Sequence, residues 1–225
     1  MQVTMDTNMN FEQARLNMIE QQIRTWDVLD QKVLDLIARI HREDFIPEKY
    51  RPLALADTQL PLAHGQCTMT PKMEARMLQA LDIKKNDKVL EIGTGCAYLS
   101  ALLAASAGHV TSIDIYPEFT AQAAEKLARY HVHNVTLGTG DAVRGWNKNS
   151  PWDAIVVTGS VPVLEPCFQE QLSDGGRLFV VVGMSPVMEA MLITRIGKHE
   201  WSREVLFETD LPALIGAPEP VKFKF

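Results

Sequence analysis

The sequence predicts an α/β protein: a doubly wound, mostly parallel sheet with helices in front of it and an antiparallel hairpin at its C-terminal end. Three observations carry this. From residue 88 onward, short apolar runs alternate with helical patterns. Consecutive runs begin 21 residues (89 to 110) and 25 residues (110 to 135) apart, about the chain a parallel crossover with a helix needs. The last two runs, Met191–Ile196 and Glu204–Glu208, have Gly197 but no helix between them, which reads as a hairpin.

Taken in order, residues 1–9 are polar, methionine-rich and without periodicity, and are expected to fray. Leu16, Ile19, Ile23 and Trp26 recur at helical spacing and predict one apolar face. Asp30 is placed to cap a second helix carrying Val33, Leu34, Ile37 and Ile40. Pro47, Pro52 and Pro61 predict an extended, irregular segment over 45–66. Thr70-Pro71 reads as a helix start with threonine as cap, and the methionine stripe that follows (Met73, Met77, with Leu78 and Leu81) reads as core.

The first strand, Val89–Ile92, leads to a helix ending at Gly108, and the second, Val110–Ile113, to a helix opened by Pro117 and carrying Phe119, Ala123, Leu127 and Tyr130. Val135–Leu137, Ala154–Val157, a helix with Leu164, Phe168 and Leu172, and Leu178–Val182 complete the alternation. Nearly continuous apolar strands imply cover on both faces.

Composition narrows the function. With 225 residues the chain suits one domain over 10–225, in which 10–82 form a helical, substrate-covering segment and 83–225 an α/β core. Apolar residues at 46% and charged residues at 22% exclude a largely disordered chain. Every apolar run falls short of the ~20 residues of a membrane helix, and no basic start precedes an apolar stretch near residue 1, so neither a membrane partner nor a secretory signal is expected. Cys67, Cys96 and Cys167 make no CxxC pair, so a reducing, cytoplasmic setting without a metal site is expected. A net charge of −6 disfavours a nucleic-acid partner, whose phosphates call for a basic surface.

The chemistry gathers at strand ends. Glu91-Ile-Gly93-Thr94-Gly95 sits where the first strand stops, and glycine at 93 and 95 allows a sharp turn and close approach to a ligand. Asp114 closes the second strand, in the place where a carboxylate takes both ribose hydroxyls of a nucleoside. Gly140-Asp141 closes the third and is placed to hold an adenine ring. A nicotinamide dinucleotide site wants G-x-G-x-x-G, whose third glycine falls on Tyr98. An acid before the first glycine suits a cationic ligand instead, and S-adenosylmethionine, with an ammonium, a sulfonium and no phosphate, is the cofactor expected. Its binding set is Glu91, Gly93, Thr94, Gly95, Asp114, Ile115, Gly140, Asp141 and Ala142.

From about Met18 to Phe225 the chain resembles the protein-L-isoaspartate O-methyltransferase family. The residues that carry the resemblance are Asp44-Phe-Ile-Pro-Glu-Lys-Tyr50, Leu60-Pro-Leu-Ala-His-Gly-Gln66, Val89-Leu-Glu-Ile-Gly-Thr-Gly95, Pro151-Trp-Asp-Ala-Ile155, Asp174-Gly-Gly-Arg-Leu178 and Leu211-Pro-Ala-Leu-Ile-Gly216. The resemblance implies a Rossmann-like S-adenosylmethionine-dependent methyltransferase that esterifies isoaspartyl carboxylates in damaged proteins or peptides. A paralogue acting on another substrate, or a cofactor-binding protein without turnover, are the alternatives. It also implies that Thr68, Met69 and Thr70 form the catalytic loop beside the cofactor's methionine portion, with His64 and Gln66 on the substrate.

Two departures stand out. Where the family reads G-Q-T-I-S-x-P, this chain has Gly65-Gln66-Cys67-Thr68-Met69-Thr70-Pro71, so the family's serine aligns with Met69. A thioether donates no hydrogen bond, which predicts impaired isoaspartyl activity and recovery in Met69→Ser, unless Thr68 or Thr70 supplies the hydroxyl. The third glycine of the cofactor loop is Ala97, expected to sit comfortably in a helix.

Overall fold

Seven strands form one sheet in the order β3-β2-β1-β4-β5-β6-β7 in the computed structural model, which describes residues 10–218. The segment 1–9 lies outside the described residues. The strands are β1 (Lys88–Ile92), β2 (His109–Asp114), β3 (Val135–Thr139), β4 (Trp152–Val161), β5 (Leu172–Met184), β6 (Val187–Gly197) and β7 (Glu200–Thr209). The first five pair in parallel, in registers such as Val89 with Val110 and with Ala154. β5, β6 and β7 then run as an antiparallel meander, so the predicted hairpin extends the sheet.

The parallel strands are apolar because both faces are covered. Val89, Val110, Ala154 and Val156 face a large core shared with the N-terminal helices and α4 (Tyr98–Ser106). Leu90, Ile92, Ile155, Val157, Leu178 and Val180 face the opposite core, with Trp152 and Phe168. Between the strands, α5 (Pro117–Arg129) buries Phe119, Ala123 and Leu127 as its periodicity predicts. The helix before β5 is shorter than predicted: α6 is only Pro166–Glu170, and Leu172 already opens β5. Trp152 N donates to Gln171 O, so the pairing of β4 with β5 captures that residue before another turn can form.

In front of the sheet lie α1 (Phe11–Met18), α2 (Gln31–Arg39) and α3 (Pro71–Leu81). Asp30 caps α2, its carboxylate accepting from Lys32 N at 2.8 Å. The predicted face of the first helix is corrected at Leu16, which is exposed. A π turn over Ile19–Ile23 adds a residue to one turn and shifts the stripe, so Arg15, Met18, Ile19 and Ile23 point inward. Arg15 is tolerated there because a salt bridge to the equally buried Glu43 neutralises it.

The proline-rich segment is irregular, as predicted, but folded on itself. It contains 3-10 turns at Glu48–Leu53 and Ala63–Gly65, and an antiparallel bridge joins Pro61 to Cys67. This small hairpin, the strap, reaches over the C-terminal end of β1. Thr70 takes the cap position of α3, yet its hydroxyl makes no cap bond and is buried without a partner.

Candidate active site

Strand order reverses between β1 and β4, and crevices in open α/β sheets form at such switch points, beyond the carboxyl ends of the strands. Here the crevice is a cleft floored by four successive strand ends. Ile92, Gly93 and Gly95 end or follow β1, and Asp114, Ile115 and Tyr116 end or follow β2. Gly140, Asp141 and Ala142 follow β3, and Thr158 and Gly159 lie in β4. The strap closes one side with Leu62, Gln66 and Cys67, and the segment Leu211–Ile215 closes another. That segment is held by β4: Ser160 N donates to Pro212 O and Leu214 N to Ser160 O.

Gly93 has φ +96°, and a Cβ there would lie 2.1 Å from Thr158 Oγ1. Thr158 Oγ1 is itself fixed, at 2.9 Å from both Ile92 O and Gly93 O. Gly95, at φ +51°, presents bare backbone beneath Leu62, whose Cδ1 would be 3.4 Å from a Cβ. Its N–H donates to Asp114 Oδ2 at 3.0 Å, while Asp114 Oδ1 accepts from Tyr116 N at 3.0 Å. Both oxygens of Asp114 are thus aimed by backbone amides, and each keeps a lone pair for a ligand hydroxyl. Asp141 is more exposed and organises its own turn by accepting from Val143 N.

Two of the nominated cofactor residues stand behind this surface. Glu91 is fully buried and does not line the cleft; its Oε2 accepts from Ser100 Oγ at 2.5 Å and its Oε1 has no partner. Burial pushes its carboxyl up to about 8, against the opposing Ser100 and Ser112 hydrogen bonds. At neutral pH it is mostly a neutral acid, which corrects the expectation of a charge facing a cationic ligand. Thr94 is also buried, its hydroxyl 2.7 Å from Ser112 Oγ. A raised carboxyl favours the folded state most below the ordinary glutamate value near 4.5, and that contribution is lost as pH rises through about 8. Glu91→Gln should flatten this loss, so that melting scans from about pH 5 to about pH 9 find the variant ahead of the parent at the alkaline end. Parallel profiles would contradict the assignment.

Ala97 also differs from expectation. It is not within the helix but caps α4 in the left-handed conformation, φ +69°, and is fully buried. A left-handed non-glycine costs about 1–2 kcal/mol, partly offset here by the packed methyl. Ala97→Gly should therefore raise stability by about 0.5–1 kcal/mol, read as a melting shift of about 1–3 °C.

The strap residues divide in the same way. Gln66 and Cys67 line the cleft, whereas Thr68, Met69 and Thr70 are not part of its lining. Thr68 Oγ1 accepts from Arg42 Nη2 and Leu60 N, both at 3.1 Å. Met69 is 5% exposed and belongs to the large core. Met69→Ser therefore acts first on packing, with an expected stability loss of about 2–4 kcal/mol in chemical denaturation, rather than a simple gain of a hydroxyl. His64 sits at the rim: its ring stacks on Tyr116 (centroids 4.0 Å apart) and Nε2 lies 3.3 Å from Glu118. Trp146, Trp152 and Asp153 are structural: Trp152 Nε1 donates to Trp146 O, and Asp153 accepts from Lys88 N and Ser173 Oγ.

The cleft tests its own ligand class. Among the described residues its lining contains no lysine or arginine, while Asp114 and Asp141 both face it. That suits a nucleoside without phosphates and offers a pyrophosphate no side-chain cation. Tyr98, at the third-glycine position of a dinucleotide motif, is buried against Phe45 and beneath Arg42, where no ligand approaches.

Comparison with known proteins decides the family. The family model for protein-L-isoaspartate(D-aspartate) O-methyltransferase matches residues 13–210. The chain is 37% identical to protein-L-isoaspartate O-methyltransferase 1 of Rhodopseudomonas palustris, covering 96% of this chain and 91% of that protein. It is 38% identical to the Koribacter versatilis protein-L-isoaspartate O-methyltransferase, over 92% of each. The chain belongs to the protein-L-isoaspartate O-methyltransferase family. Solved structures agree on the fold: a Plasmodium falciparum protein-L-isoaspartate O-methyltransferase in complex with S-adenosyl-L-homocysteine superposes with TM-score 0.73 at 18% identity, covering 91% of this chain and 98% of that one.

Within this family's framework, sequence reasoning missed Thr158, Gly159 and the placement of Leu211–Ile215. The order of strands was the available signal, because β4 adjoins β1 at the switch point and its end must share the cleft. Leu211-Pro-Ala-Leu-Ile-Gly216 was legible as a family block, but nothing local indicates that it docks on Ser160.

Proposed function

We propose that this protein transfers a methyl group from S-adenosylmethionine to the carboxylate of isoaspartyl residues in proteins or peptides, the first step of their repair. The observation that carries the reading is a cleft with no lysine or arginine among its described lining residues, floored by Gly93, Gly95 and Asp114, in a chain of this family. Residues 10–82 are proposed as the substrate-covering segment and 83–225 as the cofactor-binding core. The setting is proposed as cytoplasmic, from three free cysteines; no helix among the described residues is long and apolar enough to cross a membrane.

S-adenosylmethionine supplies, when bound, an electrophilic methyl on a sulfonium. Asp114 would hold the ribose hydroxyls, Gly93 and Gly95 would admit the ligand against the backbone, and Gly140–Ala142 would flank the adenine. An acceptor carboxylate is already ionised at neutral pH, so no residue need act as a general base. The chain's contribution is alignment and exclusion of water, with the strap and Leu211–Ile215 as walls. Titration calorimetry tests the cofactor: S-adenosylhomocysteine should bind, and NADH should not. Tight NADH binding without S-adenosylhomocysteine binding would overturn the reading.

A further inference from the structure

The cleft is walled by a strap, and one buried side chain holds the base of that strap through several hydrogen bonds at once. Arg42 is 1% exposed. Its Nε donates to Glu74 Oε2 at 3.0 Å, Nη1 to Ala54 O at 2.6 Å, and Nη2 to Thr68 Oγ1 at 3.1 Å and Met69 O at 2.7 Å. Its Cζ also lies 5.7 Å from the ring centroid of Tyr98, the first residue of the helix after the cofactor loop.

These contacts converge on the base of the hairpin. Thr68 Oγ1, held by Arg42, accepts from Leu60 N, and Thr68 N donates to Leu60 O at 2.9 Å. The Pro61–Cys67 bridge comes next, and beyond it Leu62 N donates to Gln66 O at 2.7 Å. The cleft-facing residues Leu62, Gln66 and Cys67 therefore hang from a base that Arg42 fixes. A lysine keeps the charge but has one compact ammonium in place of a planar fork, and cannot hold Glu74, Ala54, Thr68 and Met69 at once.

We propose that Arg42 is a positioning residue for the methyl-transfer site, fixing the strap so that Leu62, Gln66 and Cys67 close over the Gly93–Gly95 loop. The guanidinium touches neither ligand nor cleft; it acts through Thr68 and the Met69 carbonyl. The same geometry assigns the Thr68 hydroxyl to this clamp. The proposal rests on the function above only for the ligand used to read it.

The test uses the full chain with Arg42→Lys and Thr68→Val. Two readouts are combined: S-adenosylhomocysteine affinity, and the rate at which iodoacetamide modifies Cys67, followed by peptide mass spectrometry without ligand. Cys67 is half-buried in the strap, and Cys167, half-buried on α6, serves as the internal control for general opening. Arg42→Lys is expected to speed Cys67 modification about tenfold and weaken binding about tenfold, with Cys167 unchanged; Thr68→Val should do both to a lesser degree. If Arg42→Lys also accelerates Cys167, the fold has loosened generally and Thr68→Val decides on the same criteria. Parent-like Cys67 rates and affinity in a folded variant would overturn the proposal. A parent chain that binds no S-adenosylhomocysteine would count against the function instead, while the Cys67 rates would still decide the clamp.

Discussion

Gly93→Ala is expected to abolish measurable S-adenosylhomocysteine binding. The new Cβ would sit 2.1 Å from Thr158 Oγ1, with the backbone at φ +96°, where L side chains rarely go. Thr158 can escape only by giving up its contacts with Ile92 O and Gly93 O. Left-handed strain costs about 1–2 kcal/mol, and disrupting the one partly buried hydrogen bond that the Thr158 hydroxyl shares between two carbonyls costs about 1–3 kcal/mol. Either the loop moves or the fold weakens, and an affinity loss above about a hundredfold follows when a few kcal/mol fall on the binding site. Calorimetry beside a melting curve separates the two. Gly93→Ala/Thr158→Ala removes the clash but not the strained φ, so it should recover part of the binding. Equal failure of both would place the whole effect in the backbone.

Asp114→Ala should weaken S-adenosylhomocysteine binding by about ten- to a hundredfold, the loss of charge-assisted hydrogen bonds worth about 1.5–3 kcal/mol. Two effects add. The proposed ribose contact loses its paired acceptors, and Gly95 N and Tyr116 N lose the partner that aligns the loop after β1 with the end of β2. Asp114→Asn retains one acceptor oxygen and should fall between the two. Calorimetry checks the order; unchanged affinity in Asp114→Ala would remove the carboxylate from the site.

The α/β order and the strand-end acids were legible because they rest on local patterns. Apolar runs at crossover spacing, Pro117 opening a helix and Gly93 and Gly95 after a strand each carry their meaning within a few residues. Asp114 was found this way, and both its oxygens are pre-aimed. What was not legible depends on distant partners. Glu91 looked like a cleft carboxylate because it precedes the glycines, but alternation along β1 turns it away from the cleft, toward Ser100 on α4. Leu16 fitted the helical period until a π turn changed the phase. Ala97 looked helical, and only the loop geometry reveals its left-handed backbone. Met69 was read by its place in a motif, yet its side chain is governed by the core that surrounds it. Arg42, which holds the strap from a residue far off in sequence, left no local mark at all.

Isoaspartyl methyl transfer can be measured on the peptide itself. The pure protein is incubated with methyl-labelled S-adenosylmethionine and either an isoaspartyl peptide or its normal aspartyl twin. Label is expected in the isoaspartyl peptide alone, released as methanol by mild base because the product is a carboxyl ester. Label in both peptides alike, or in neither while S-adenosylhomocysteine still binds, would contradict it.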